Sequence, residues 1–200
     1  MLNKFRNSLD PLMSRLGLIF ASLGLSANFW TMLGLVTSTL ASAIYAMPAI
    51  TPTISFPWFY ASISGSILLL ISGFFDIIDG NVARVTRQSS KKGAFLDSSL
   101  DKLAEATIFI GIAAGGLADP LLCMIGLALS LMVSYVRARA QSLGIELQGI
   151  GIGERAERLL IIAVLGFIPI VGIMQWAVIA VSVISGITLI QRITAALKML

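Results

Sequence analysis

The stretch Asp76-Ile77-Ile78-Asp79-Gly80-Asn81-Val82-Ala83-Arg84, followed by Gly93-Ala94-Phe95-Leu96-Asp97-Ser98-Ser99-Leu100-Asp101, decides how the chain is read. It puts four carboxylates within 26 residues of a 200-residue chain in which charged residues make up only 12%. Asp76 and Asp79 are three apart and Asp97 and Asp101 four apart, so each pair shares a face if its segment is helical. Between the pairs lie Gly80, Gly93 and the cations Arg84, Arg87, Lys91 and Lys92. Residues 80–92 are read as a basic turn joining two helix ends, each end carrying two acids. Such an arrangement sets a hard-cation site beside an anion site, which suits chemistry on a phosphate.

The flanking sequence says what holds this stretch. Hydrophobic residues reach 57% and mean hydropathy is +0.94, too apolar for an ordinary soluble domain. The expected fold is an all-α integral membrane protein, because helices satisfy their own backbone hydrogen bonds inside a bilayer and open sheets do not. One domain, residues 1–200, is expected. Residues 1–25 read as an amphipathic helix on the membrane surface, with Lys4, Arg6, Asp10 and Arg15 set among leucines and phenylalanine. The first residues lack the compact apolar run of a signal peptide. Six spans of a bundle over residues 28–197 follow: 28–47, 56–79, 93–117, 121–141, 154–172 and 173–193. Pro48, Pro52 and Pro57 mark the first turn and Asp119-Pro120 another.

Charge tests this layout. Every Lys and Arg falls on one side of it, and the turns near 48–57, 118–120 and 168–174 hold none. The positive-inside pattern therefore puts both termini and the acids toward the cytoplasm of a cell membrane. No nucleic-acid partner is expected. Cys123 is a single cysteine in an apolar run, without a partner for an intrachain disulfide, and is read as packing. Histidine is absent, so a metal would have oxygen ligands, which favours Mg2+, Mn2+ or Ca2+ over zinc.

Acids in membrane segments are costly unless paired or solvated. Capping, or salt bridges to Arg84, Lys91, Lys92 and Lys102, would account for one or two of them. Four converging acids repel each other unless a cation neutralises them, so Asp76, Asp79, Asp97 and Asp101 are candidate ligands of divalent metal, with two ions expected. Gly80, Ala83 and Gly93 are small enough to let a bulky ligand approach, though small residues also serve close helix packing. Arg84 offers a bidentate fork to phosphate, or serves as counter-ion to an aspartate.

The spacing Asp76-x-x-Asp79-Gly80-x-x-Ala83-Arg84, eight residues, then Gly93-x-x-x-Asp97-x-x-x-Asp101 resembles the signature of the CDP-alcohol phosphatidyltransferase family, with all eight positions present. The family fold, six transmembrane helices behind a juxtamembrane amphipathic helix, fits the layout above. Leu25-Ser26-Ala27-Asn28-Phe29-Trp30-Thr31 also looks like the family's Pro-Asn-x-x-Thr segment, with Ala27 in place of proline and Asn28 and Thr31 kept. The resemblance implies that Asp76, Asp79 and Asp97 bind Mg2+ or Mn2+, and that Asp101 joins the second metal and acts as general base. It implies a CDP-lipid pocket lined by Gly80, Ala83, Arg84 and Gly93, to which Asn28 and Thr31 are added. It also implies a homodimer, for which Gly111, Ala113, Ala114, Gly115 and Gly116 offer close-packing positions. The implied donor is a CDP-diradylglycerol, CDP-diacylglycerol or CDP-archaeol, and the leaving group is CMP.

The acceptor must be read from other cations. Arg155 and Arg158 share a helix face, and Arg137 lies at matching depth if the preceding helix is antiparallel. Three arginines suit an acceptor that carries its own phosphate. Interfacial anchoring and pairing with Glu154 and Glu157 is the other reading of the same residues. Ser134-Tyr135-Val136-Arg137-Ala138-Arg139-Ala140 and Gly153-Glu154-Arg155-Ala156-Glu157-Arg158 look like the inositol-phosphate-using branch of the family. The expected acceptor is thus 1L-myo-inositol 1-phosphate, ahead of glycerol 3-phosphate and then serine. A divalent-cation transporter is the other class considered. Transport predicts acids spread along a path, whereas these gather at one end.

Overall fold

The computed structural model describes residues 13–50, 57–87, 90–147 and 149–200. Among these residues the regular structure is helical throughout. A short helix, α1, covers residues 13–21, and six more follow: α2 Ala27–Ile50, α3 Trp58–Val85, α4 Lys91–Ala114, α5 Pro120–Ser142, α6 Arg155–Gly166 and α7 Ile173–Met199. Helix α2 packs on α3 and α4, α5 packs on α7, and α6 packs on α3 and α7. Contacts of α4 with α5 and of α3 with α6 join the two halves.

Local chemistry sets the ends of several helices. The Ser90 side chain accepts from Gly93 N at the start of α4, and Asp119 accepts from Leu122 N ahead of Pro120 at the start of α5. Helix α6 opens with a reciprocal capping box between Glu154 and Glu157. Those two glutamates are thereby used in the cap rather than against the neighbouring arginines. Pro169 stops α6 at Gly166, so the expected fifth span over 154–172 shortens to 12 residues.

The larger correction concerns the polar stretch. Residues 80–92 do not form a turn, because α3 runs unbroken to Val85 and only 86–90 lies between helices. Asn81 Nδ2 donates to Ile77 O and Arg84 Nε to Gly80 O, so the polar side chains bond along the helix instead of breaking it. The end of an apolar run marks the end of membrane-matching sequence, not of helical backbone. Arg87, at φ 55°, ends the segment.

Among the described residues four helices are long and apolar enough to cross a membrane: α2, α3, α5 and α7. Helix α4 is long but carries charge, and α6 at about 18 Å is short of a bilayer core of roughly 30 Å. Large side chains such as Leu40, Ile67, Ile110, Met124 and Ile190 point outward, as lipid contact requires. The main core joins Tyr45, Leu69, Phe109, Ile112, Ile162 and Val178, and a second cluster seats Leu16 and Phe20 of α1 against Trp30, Ile78 and Val82. Residues 1–12, about half of the expected amphipathic helix, lie outside the described residues. Gly111 of α4 and its C-cap Gly115 sit against the backbone of Ser42 and Tyr45, so these two small residues serve contact with α2 of the same chain.

Candidate active site

Helices α3 and α4 bring the acids together. One carboxylate oxygen each from Asp76, Asp97 and Asp101 lies within 4.8 Å of the others. Three like charges at that range need a cation between or beside them. Asp79, one turn beyond Asp76 on α3, stands outside this trio; it is buried and leaves Oδ2 without a partner. An all-oxygen donor set with one orphaned buried carboxylate oxygen fits a hard divalent ion.

The cation that reaches the trio from the protein is Arg155, at the first turn of α6. Its Nη1 stands 2.9 Å from Asp76 Oδ1 and 2.6 Å from Asp101 Oδ1. Among the described residues no ion pair joins the four acids to Arg84, Lys91, Lys92 or Lys102. Arg158, one turn further along α6, is held differently. Its Nε and Nη2 reach the two oxygens of Glu105 at 2.8 and 3.0 Å, and Nη1 donates to Gly153 O at 2.8 Å. Both partners are buried, Arg158 at 1% and Glu105 at 0% exposure. Removing one partner from such a pair typically costs about 3–5 kcal/mol, because the other is left charged in a dry interior.

Two cavities meet at the acids. The first, about 350 Å³, is lined by Asn28, Thr31, Gly80, Ala83, Arg84 and Gly93, with Asp79 and Asp97 in its wall. These six are the residues expected to line a nucleotide-lipid pocket, and the fold brings all of them together. A Cβ on Gly80 would meet nothing within 4 Å, so this stretch of α3 backbone is bare toward open space. Arg84 is steadied by Nη2 donating to Asn81 Oδ1 at 2.9 Å. The second cavity, about 510 Å³, is lined by Asp76, Asp97 and Asp101 together with Arg137, Arg155 and Arg158. Asp97 lines both. A larger space of about 710 Å³ opens at the opposite end around Trp58, Asp119 and Trp176 and holds none of these residues.

Sequence reasoning gave three charged residues here no place in the site, Lys102 having been read only as a counter-ion. Lys102 and Arg192 line the second cavity, and Arg192 also donates to Ile150 O and Val133 O at 2.9 and 3.0 Å, tying the connector before α6 to α5. Glu105 is the third. Its signal was its spacing, four residues past Asp101 and eight past Asp97, which continues the acidic face of α4.

The profile of the CDP-alcohol phosphatidyltransferase family matches residues 26–188. The chain is 40% identical over 199 residues to an archaetidylinositol phosphate synthase of Methanothermobacter thermautotrophicus, covering 96% of this chain and 92% of the relative. It is 38% identical over 200 residues to the archaetidylinositol phosphate synthase of Pyrococcus horikoshii, covering 100% and 98%. Among solved structures, Mycobacterium tuberculosis phosphatidylinositol phosphate synthase with CDP-DAG bound shares the fold, at TM-score 0.76 and 23% identity over 93% of this chain and 94% of that one. The same mycobacterial protein in complex with manganese and citrate gives TM-score 0.74 at 24% identity, over 92% and 88%.

Proposed function

Since the chain belongs to the CDP-alcohol phosphatidyltransferase family, we propose that it transfers the lipid phosphate of a CDP-diradylglycerol to 1L-myo-inositol 1-phosphate, releasing CMP. The observation that carries this reading is the meeting of two unlike cavities at one set of acids. The cavity around Gly80 and Arg84 has the bare backbone and the guanidinium that a cytidine diphosphate needs. The cavity around Arg137 and Arg155 has the positive charge that a phosphorylated acceptor needs. The inositol phosphate chemistry in the names of the relatives supports that acceptor over glycerol 3-phosphate, the second choice.

In the proposed reaction the acceptor hydroxyl oxygen attacks the lipid-bearing phosphorus. A new P–O bond forms as the bond from that phosphorus to the bridging oxygen breaks, and CMP departs with the electron pair. Asp101 takes the hydroxyl proton as attack proceeds. Arg84 holds the diphosphate on the donor side, and Asn28 and Thr31 bound that cavity. Arg155 orients Asp101 and, with Arg137, faces the acceptor phosphate. Asp76, Asp79, Asp97 and Asp101 would hold Mg2+ or Mn2+, two ions per site. When bound, the ions supply charge neutralisation of the pyrophosphate and of the developing negative charge. Buried pairing with Glu105 makes Arg158 a support for this wall rather than a phosphate ligand. The remaining proposals are six spans, a surface helix at the N-terminus, a cytoplasm-facing site and a homodimer.

Purified protein incubated with labelled CDP-lipid, Mg2+ and inositol 1-phosphate tests the reading. CMP release that depends on acceptor supports it, whereas release at equal rate without acceptor marks a hydrolase. Higher kcat/KM with glycerol 3-phosphate would select the second acceptor.

A further inference from the structure

We propose that Glu105 is a positioning residue for the acceptor side: acting through Arg158, it locks the first turn of α6 to α4 and so sets where Arg155 stands against Asp101. This rests on reading the cation-rich cavity as the acceptor site. The two helices meet through a ladder of two rungs. Asp101 and Glu105 are one turn apart on α4, and Arg155 and Arg158 are one turn apart on α6. The outer rung, Arg155 Nη1 to Asp101 Oδ1 at 2.6 Å, borders the cavity. The inner rung, Arg158 to Glu105, is bidentate and almost wholly buried.

The inner rung fixes geometry because little slack is left around it. Nε, Nη1 and Nη2 of Arg158 all donate to protein oxygens, including Gly153 O just before α6. Gly153 N donates to Thr188 Oγ1 at 2.9 Å, and a Cβ at Gly153 would run into Ile184 of α7. The entry to α6 is therefore pinned on one side by α7 and on the other by the guanidinium. An Arg–carboxylate fork sets angle as well as distance, which a point charge does not. If Glu105 lost its charge, Arg158 would have Asp101 as the next carboxylate along the same face of α4. The donor cavity contains none of Glu105, Arg155 or Arg158, so donor binding serves as an internal control.

The test compares Glu105→Gln and Arg158→Lys with the unsubstituted protein. Each variant is assayed for KM toward the phosphorylated acceptor and toward CDP-lipid. The expected result is an acceptor KM raised about tenfold or more in both, the size expected for a disturbed charged hydrogen bond. CDP-lipid KM should stay within about twofold. Parallel changes in the two KM values would reduce the pair to general stability and overturn the proposal. An unchanged or lower acceptor KM in Glu105→Gln would also overturn it, because a freed Arg158 would then be binding the phosphate itself. Arg158→Lys keeps a charge opposite Glu105 and covers the case in which Glu105→Gln does not fold. Backbone hydrogen exchange gives an arm independent of turnover: residues 153–158 should lose protection in both variants while residues 91–97 keep theirs. Equal protection in variant and parent would sink the idea. If the parent itself shows no acceptor-dependent CMP release, the acceptor reading fails separately, and exchange alone decides the clamp.

Discussion

Asp101 is the acid with the most demands on it. It belongs to the trio within 4.8 Å, borders the cation-rich cavity and meets Arg155 at 2.6 Å. Exchange for asparagine keeps the shape and removes the proton acceptor. Asp101→Asn should lower kcat by roughly 10²–10⁴-fold, the usual contribution of a general base, while CDP-lipid still binds in equilibrium titration. Near-normal turnover would remove Asp101 from that role. Arg155→Ala deletes a charge that two acids share. Acceptor KM should rise by roughly 10–100-fold and donor KM much less, measured by initial rates with each substrate varied in turn. The spacing of the four acids made this site legible at the level of single residues. Their partner was not legible, because Arg155 lies 79 residues from Asp76 and nothing local ties the two together.

Among the elements, α3 carries the clearest departure from expectation. Hydropathy ended the second span near Asp79, yet the helix continues through Gly80, Ala83 and Arg84 to Val85. Polar residues that return their hydrogen bonds to the same helix leave no hydropathy signal by which to place its end. Gly80 sits inside this helix, where glycine costs about 1 kcal/mol relative to alanine. Its open surroundings would admit a methyl group, so packing does not account for the glycine. Gly80→Ala should therefore raise thermal stability by roughly 1 kcal/mol and weaken CDP-lipid binding, seen as a higher melting temperature together with a higher donor KM. Gly65 gives the opposite case, because a Cβ there would overlap the Tyr45 ring. Helix α6 was half legible: its paired arginines were visible, but Glu154 and Glu157 cap the helix instead of pairing with them, and Pro169 cuts it shorter than the span drawn for it.

For the whole molecule, four of the six expected spans coincide, among the described residues, with helices that meet the length and composition of a membrane span, and the other two fall on α4 and α6, which are more charged or shorter. Helix α4 offsets its charge by gathering its acids at the site, and α6, ended ahead of Pro169, packs on α3 and α7. Orientation is open to a direct measurement. In a version with Cys123 replaced by serine, a cysteine at Lys91 should react with an impermeant maleimide in inside-out vesicles, and one at Gly116 only in right-side-out vesicles. The reverse pattern would invert the proposed topology.

One consequence concerns the bilayer itself. At 28 residues α3 is about 42 Å long, some 12 Å more than a typical hydrocarbon core, and a surplus at its C-terminal end carries Asp79 and Arg84, with Asp76 at its border. The helix is a single stiff rod, so a thicker membrane would draw its acidic end toward hydrocarbon or have to thin around it. Reconstitution across a series of acyl chain lengths should thus show turnover falling once the core outgrows the apolar part of the rod, with the lipid's thickness acting as a ruler for the enzyme.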